Sequence, residues 1–368
     1  MKTKAAVLYE KNSPFKVEEL DLQGPGEGQV LVELKATGIC RTDEHARMGA
    51  TVTPFPTVLG HEGGGIVREV GSGVTSIKKG DHVVMVWMPS CGRCEPCRKG
   101  LGHLCVRGAD LFSGRMLDGK TLFKRNGQDV HHFMFLSAFS EFVVVEEDAA
   151  VVVDREARLD HVCLLGCALT TGFGAVTRTA NFEAGSNAVL FGFGGIGSGV
   201  LNGLVQSGAN MIIVVEPKEW KEEVATKMGA THFINPDKED PVQKVLELTH
   251  GVGADYAFEC WGHEEVQAQC YNAIRNKGKA VFIGAVDETV NSIPINNFSI
   301  INTEKIIMGS LYGSCVPMVE IPKYVSLYMR GKFDLDSVVT KTFPLEDINK
   351  GFEAMRNGDV VRGVIKFD

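Results

Sequence analysis

No apolar run in this 368-residue chain approaches the ~18–20 residues that a membrane-spanning helix needs. No membrane partner is therefore expected. Only five apolar residues, Ala5 to Tyr9, separate Lys4 from Glu10, too few for the core of a secretory signal. A cytoplasmic location follows as the expectation, where thiols stay reduced and disulfides are rare. Positive charge is in deficit: 38 Lys and Arg stand against 46 Asp and Glu, a net charge of −8. Such a field argues against nucleic acid as a main partner. The chain has 42 glycines but no Gly-x-y period, and it lacks internal repeats and low-complexity tracts, which excludes fibrous and disordered classes. What remains is an ordinary globular composition, 44% hydrophobic and 23% charged. At roughly 100–200 residues per domain, the length predicts two or three domains.

Residues 1–160 carry short alternating apolar runs cut by Gly and Pro, among them Gln29–Glu33, Gly65–Val70, Asp81–Val86 and Glu141–Val145. Period-two runs between turn signals predict antiparallel β-structure. The texture changes near residue 170. Apolar strands are predicted at Asn187–Phe191, Met211–Val215, Phe233–Ile234, Ala254–Glu259 and Lys279–Ile283. They alternate with helices at Ile196–Ser207, Lys218–Met228, Pro241–Thr249 and Glu264–Asn276. That alternation implies βαβ units and a parallel sheet. A further amphipathic stretch, Ile321–Arg330, precedes a last strand at Gly363–Phe367, and the polar, Gly-rich segment Gly108–Asp129 reads as a long loop.

The ten cysteines are unevenly spread, and Cys91-x2-Cys94-x2-Cys97-x7-Cys105 places four in one loop. Tetrahedral Zn(II) takes four such sulfurs, and close spacing costs little chain entropy. With every position filled no place is left for water, so this zinc would be structural. An iron–sulfur centre is the alternative for the same spacing.

Gly192-x-Gly194-x-x-Gly197 follows a predicted strand directly and opens a predicted helix. Gly192 allows the tight turn, Gly194 lets the backbone approach a pyrophosphate, and Gly197 lets the helix pack on the strand. Glu216 ends the next strand, where a carboxylate accepts from both ribose hydroxyls of NAD and repels the 2′-phosphate of NADP. Lys218 and Lys221 nearby keep NADP open. Cys40, His61 and Cys167 are candidates for a second, open zinc site. Glycines flank His61, and Asp43 stands where it can orient a ligand histidine. A set of two cysteines and one histidine with an open fourth position polarises alcohol or carbonyl oxygens.

With these motifs in place the chain resembles a zinc-dependent alcohol dehydrogenase of the medium-chain dehydrogenase/reductase superfamily, of the long-loop class I/III type, over essentially all its length. Its opening Met1–Leu8 and the run Gly309–Cys315 are similar to the bacterial nicotinoprotein group, which holds NAD tightly. The resemblance implies an α/β fold: a GroES-like β-rich catalytic domain at 1–168 and 312–368, and a Rossmann-type doubly wound parallel-sheet coenzyme domain at 169–311. It implies two Zn(II) per chain, NAD, a small alcohol or aldehyde substrate, and a homodimer or homotetramer.

By the same resemblance, Cys40, His61 and Cys167 bind catalytic zinc with Glu62 behind it, and Asp43 braces His61. Thr42 accepts the alcohol proton and His45 passes it to solvent. Arg41 and Arg362 meet the cofactor pyrophosphate. Thr171 and Ile196 flank the nicotinamide, Gly195 belongs to the glycine turn, and Glu216 and Lys221 hold the adenosine ribose. Trp87, Phe133, Met134 and Leu311, with Thr42, line the substrate pocket. These large apolar side chains fit a primary alcohol with an apolar tail. Two alternatives stand beside this. A glutathione-adduct-dependent formaldehyde dehydrogenase would use an acidic and an arginine anchor, where this chain has Thr51 and Ala109-Asp110. A dismutase or acceptor-linked oxidoreductase would never release its NAD.

Overall fold

In the first part of the chain, alternating burial produces short strands: β1 (Lys2–Leu8), β2 (Lys16–Leu22), β3 (Gln29–Gly38), β4 (Thr57–Val58), β5 (Gly63–Val70), β6 (His82–Met85), β7 (Phe123–Arg125), β8 (Gln128–Val130), β9 (Phe142–Glu146) and β10 (Ala150–Val153). Three short helices interrupt them: α1 (Arg41–Met48), α2 (Glu95–Arg98) and α3 (Leu159–Val162). The computed structural model describes residues 1–286 and 290–367. Strands and helices then alternate: α4 (Ala168–Gly174), β11 (Asn187–Phe191), α5 (Gly195–Gln206), β12 (Met211–Val215), α6 (Lys221–Lys227), β13 (His232–Ile234), α7 (Pro241–Leu248), β14 (Ala254–Glu259), α8 (Glu264–Ala273), β15 (Ile274–Phe282), α9 (Asn297–Thr303) and β16 (Ile306–Gly309). After these come α10 (Pro317–Met329), β17 (Val339–Pro344), α11 (Ile348–Asn357) and β18 (Arg362–Lys366).

The chain forms two compact units. One comprises Met1–Cys167, Val316–Gly331 and the chain from Val339 onward; the other comprises Ala168–Cys315 and Lys332–Val338. The first unit holds a sheet of order β4-β1-β2-β7-β8 and a larger one of order β10-β6-β5-β3-β18-β17, with β9 also paired to β3. Its strand pairs are antiparallel except β17 with β18. Strand β3 lies at the centre of the larger sheet, and most of its residues are buried, as a strand flanked on both edges requires.

The second unit is a parallel sheet of order β13-β12-β11-β14-β15-β16. Strand order reverses between β11 and β14, and ligands of such sheets bind at the carboxyl ends of the strands there. Val189, Phe191, Ile213, Val215 and Ala257 form its core, which explains why these strands read as unbroken apolar runs. Helices α4 and α5 pack closely because Gly199 has no side chain: a Cβ there would lie 2.6 Å from the Leu169 carbonyl oxygen.

Several local expectations differ: the helix expected from Lys218 begins at Lys221, and the one expected to reach Asn276 ends at Ala273. The segment expected to be a loop, Gly108–Asp129, includes β7 and runs into β8; the two strands pair as a hairpin. Its polar residues face solvent on a sheet edge, so they show no apolar alternation. Strand β15 begins at Ile274, not Lys279, because Ile274 already pairs with Ala254 and the polar run that follows is spanned as a bulge before pairing resumes at Lys279. Helix α10 begins at Pro317, four residues early, where proline's missing N–H costs nothing in the first turn. Among the described residues no single helix is long and apolar enough to cross a membrane.

Candidate active site

The four-cysteine loop follows β6. Helix α2 and a turn at Gly102–Leu104 fold it back so that the sulfurs of Cys91, Cys94, Cys97 and Cys105 all lie within 4.8 Å of one another. Backbone N–H groups already point at sulfur: Cys91 N–H donates to Cys105 Sγ and Cys94 N–H to Cys91 Sγ, both at 3.4 Å. Such donors favour thiolate. The Arg93 and Cys94 amides pull the Cys91 thiol down to about 6, whereas burial and the neighbouring sulfur of Cys94 push Cys97 up to about 12. No disulfide joins the described cysteines. Four sulfurs in a closed tetrad are the donor set of a structural zinc.

The second donor group comes from three separate segments. Cys40 caps α1 in extended backbone geometry, His61 and Glu62 precede β5, and Cys167 ends the turn after α3. Their ligand atoms also lie within 4.8 Å of one another. His61 and Glu62 are fully buried. Asp43, in the first turn of α1, accepts from Gly60 N–H and from His61 Nδ1, each at 3.0 Å. That fixes the tautomer, so His61 Nε2 is left as a buried lone pair with no hydrogen-bond partner. A buried acceptor with no donor, beside two sulfurs, fits a zinc ligand. Hydrogen bonding to Cys167, then the His61 and Arg362 charges, pulls Cys40 far below its usual range. Burial disfavours charge on His61, but the Asp43 and Cys40 charges overcome it and push the imidazole up, so Nε2 would carry a proton until a metal took that proton's place.

The resemblance expects Glu62 behind the metal but gives no sign of what holds it. The Arg362 guanidinium grips both Glu62 oxygens, with Nη1 at 3.3 Å from Oε1 and Nη2 on Oε2, while Nη2 also donates to the Ile39 carbonyl at 3.0 Å. Arg362 is buried, and its Nε has no acceptor. The pair spans 300 residues of sequence, so no local pattern announces it.

Other expected residues belong to the same unit. Thr42 Oγ1 lies 3.8 Å from Cys40 Sγ, and His45 stands one turn further along α1. Gly49 ends that helix in the left-handed region at φ 78°. Arg41 is exposed. Trp87, Phe133 and Met134 are buried in the same unit, and the Phe133 ring stands edge-on to His61 with centroids 6.1 Å apart. Leu311, Thr171 and the glycine turn belong to the second unit.

There the turn between β11 and α5 has the geometry its glycines require. Gly192 adopts φ 93°, and a Cβ on Gly197 would lie 2.1 Å from the Gly192 carbonyl oxygen. A Cβ on Gly194 would meet nothing within 4 Å, so the backbone there is open to a ligand. Gly195 and Ile196 form the first turn of α5, whose N–H groups suit a phosphate. Glu216, at the end of β12, accepts from Phe193 N–H at 2.9 Å and pairs with Lys221 Nζ at 3.2 Å. Lys221 also donates to the Phe193 carbonyl at 3.1 Å. Both side chains are buried, and burial pulls Lys221 down despite the carboxylate. Thr171 is buried in α4.

Two family profiles match this chain: an alcohol dehydrogenase GroES-like domain over residues 26–155 and a zinc-binding dehydrogenase domain over residues 195–329. The chain is 41% identical to S-(hydroxymethyl)glutathione dehydrogenase from Paracoccus denitrificans, covering all of both proteins. It is 40% identical to a putative alcohol dehydrogenase D from Mycobacterium tuberculosis, over 99% of this chain and all of that protein. Its fold superposes on benzyl alcohol dehydrogenase from Acinetobacter calcoaceticus with a TM-score of 0.94 at 32% identity, covering both chains completely. The chain therefore belongs to the zinc-binding medium-chain alcohol dehydrogenases. It is an oxidoreductase with a structural four-cysteine site, a catalytic Cys/His/Glu group and a nicotinamide cofactor.

The two donor sets predict two zinc ions per chain. Because metal binding at the closed site contributes directly to folding, Cys94→Ala is expected to retain one zinc by elemental analysis and to give a lower thermal midpoint. A stable Cys94→Ala protein with both ions contradicts the assignment.

Proposed function

We propose that this chain catalyses reversible oxidation of a primary alcohol with an apolar tail, using NAD. The observation that carries the reading is the group of half-buried Cys40 and Cys167 with fully buried His61, the Thr42 hydroxyl beside Cys40 and an aromatic ring, Phe133, against His61. When bound, zinc on these three residues supplies Lewis acidity and the nicotinamide supplies the hydride acceptor. The protein's own groups do the rest. Thr42 takes the alcohol proton, and His45, three residues on and on the same helical face, hands it to solvent. Asp43 keeps His61 in the ligating tautomer. Glu62, neutralised by Arg362, shapes the charge behind the donor group without adding net charge. Trp87, Phe133, Met134 and Leu311 are the apolar groups assigned to the substrate tail. In this reading the first unit carries the chemistry and the second holds the coenzyme.

For the cofactor, the glycine turn receives the pyrophosphate and Glu216 with Lys221 the adenosine ribose. Arg41 and the unpartnered Nε of Arg362 are assigned to pyrophosphate oxygens. Thr171 and Ile196 are assigned to the nicotinamide. A buried carboxylate at the ribose position favours NAD over NADP. Among the relatives, the name of the Paracoccus protein points to a glutathione adduct and that of the Acinetobacter protein to benzyl alcohol. Thr51 and Ala109-Asp110, where an acidic and a basic anchor would be needed, favour the plain alcohol.

A second copy of the chain is assigned to the open edge of β16. Ile306 and Ile307 on that strand are 43% and 39% exposed, and Phe298 and Ile301 on the neighbouring α9 are 73% and 78% exposed. An apolar edge with no partner strand among the described residues is a template for an identical edge, and such pairing is two-fold. Ile307→Lys is expected to shift the sedimentation coefficient from dimer to monomer, while an unchanged value overturns this assignment.

Glu216→Ala is expected to weaken NAD by about ten- to hundredfold, the loss of hydrogen bonds to a charged group, and to strengthen NADP. Calorimetry on cofactor-free protein measures both, and unchanged NAD affinity rejects the role.

The activity is tested with a panel of primary alcohols and S-(hydroxymethyl)glutathione, each assayed with free NAD and with an artificial acceptor. Apolar primary alcohols are expected to be oxidised with free NAD, and the glutathione adduct poorly. NAD retained through gel filtration, with turnover only by the acceptor, identifies a bound-cofactor enzyme instead. Within the panel, Thr42→Ala is expected to lose activity by about 10²-fold or more, and His45→Gln by less, partly restored by imidazole buffer. Silence of both variants across the pH range removes the proton path.

A further inference from the structure

The segment Phe133–Ser137 is a strained turn: the Leu136 and Ser137 N–H groups close on the Phe133 carbonyl at 3.0 and 3.1 Å, but the conformation is unfavourable for its side chains. Met134, Phe135 and Ser137 all sit in the left-handed region, at φ 50°, 60° and 58°. L side chains rarely adopt it, and such residues persist only where surrounding structure over-determines them. Two buried polar side chains add to these backbone bonds. Leu122 N–H donates to His132 Nε2 at 3.0 Å. With Nε2 accepting, the ring proton lies on Nδ1, 3.3 Å from Ser137 Oγ. Burial, then the charge of neighbouring His131, pulls the imidazole down to about 3, so the ring is neutral and this tautomer is retained. Ser137 Oγ in turn accepts the Phe133 N–H at 3.0 Å. The His132 ring is also packed on Phe123, with centroids 5.0 Å apart.

The segment so held touches the metal group from outside. Ala138 N–H donates to the Gly60 carbonyl at 2.8 Å, the residue before His61. Met134 N–H reaches the Leu111 carbonyl at 3.1 Å, and Phe133 packs between Phe112 and the His61 ring, with centroid distances of 5.9 and 6.1 Å. A wall residue is only as selective as its backbone is fixed, and small displacements of a positioned group change rates steeply.

We propose that His132 and Ser137 are positioning residues for substrate choice: their hydrogen bond fixes Phe133–Phe135 as the wall that discriminates the alcohol's tail. The proposal rests on the alcohol-oxidation reading above. Neither residue needs to touch substrate, and the selection acts through Phe133 and Met134.

The test compares benzyl alcohol with ethanol in Ser137→Ala, His132→Gln and His132→Asn. An asparagine amide replaces Nδ1 and keeps a donor toward Ser137, whereas a glutamine amide replaces Nε2 and keeps only the acceptor for Leu122. Ser137→Ala and His132→Gln are expected to lower the benzyl-to-ethanol ratio of kcat/KM by about tenfold, chiefly through KM. His132→Asn is expected to stay within about twofold of wild type. Benzyl alcohol binding by calorimetry and hydrogen exchange at the Phe133 amide are expected to follow the same order, with zinc content unchanged. Equal losses for both alcohols, equal behaviour of the Asn and Gln variants, or an unchanged ratio in Ser137→Ala overturns the proposal. If Ser137→Ala fails to fold, the two His132 variants decide. Wild-type protein that neither binds nor oxidises either alcohol overturns the alcohol-oxidation reading itself, and that result is visible before any variant is made.

Discussion

The gathering of two half-buried sulfurs, a buried imidazole and a buried carboxylate within one small volume is the constraint on which the first unit turns. Charge out of water is costly unless it is paired and hydrogen-bonded, by several kcal/mol per ion even after relaxation. The fold meets that cost with cations from different directions. Arg362 on β18 neutralises Glu62, and a divalent ion completes the set of Cys40, His61 and Cys167. The sheet order follows from this requirement as much as from hydrophobic alternation. Strand β18 lies beside β3, with Val364 opposite Gly38, which brings the Arg362 guanidinium to Ile39 O and Glu62. Gly38 itself has no side chain to interfere: a Cβ there would lie 2.9 Å from Arg362 Nη2.

The second unit uses the same device on a smaller scale. Glu216 is a buried carboxylate held by an amide of the glycine turn and by Lys221, and Lys221 returns to the same turn through the Phe193 carbonyl. The ribose-reading carboxylate and the phosphate-reading turn are thus one hydrogen-bonded object. Moving either disturbs the other. Preorganisation of this kind lowers the ordering that a ligand must impose when it binds.

What can be read from the sequence is whatever is local. The Cys91–Cys105 spacing and the strand–glycine turn–helix context are complete within short stretches of chain, and the protein folds them as their spacing implies. Asp43 and Glu62 stand out because they adjoin Cys40 and His61. Resemblance assigns Arg362 to pyrophosphate, but its grip on Glu62 depends on the register of β18, which periodicity does not encode. The β7–β8 hairpin escapes notice for a related reason: its strands are three residues each with one buried apolar residue apiece, Phe123 and Val130, too short to show the alternation by which strands are found. His132 and Ser137 carry no signal at all. A histidine and a serine five residues apart become a structural lock only when the backbone between them turns left-handed.

The Glu62–Arg362 pair also has a consequence in time. A ribosome delivers the chain from its amino end, and Arg362 emerges 300 residues after its partner. At about 5–20 residues per second, that delay is roughly 15–60 s. Throughout it β3 lacks one of its neighbours, and the carboxylate behind the donor group has no counter-charge. The second unit has no such wait for most of its sheet, since β11 to β16 emerge as one continuous stretch. During synthesis the nucleotide-reading sheet can therefore be in place while the donor group of the first unit still waits for the strand that brings its counter-charge.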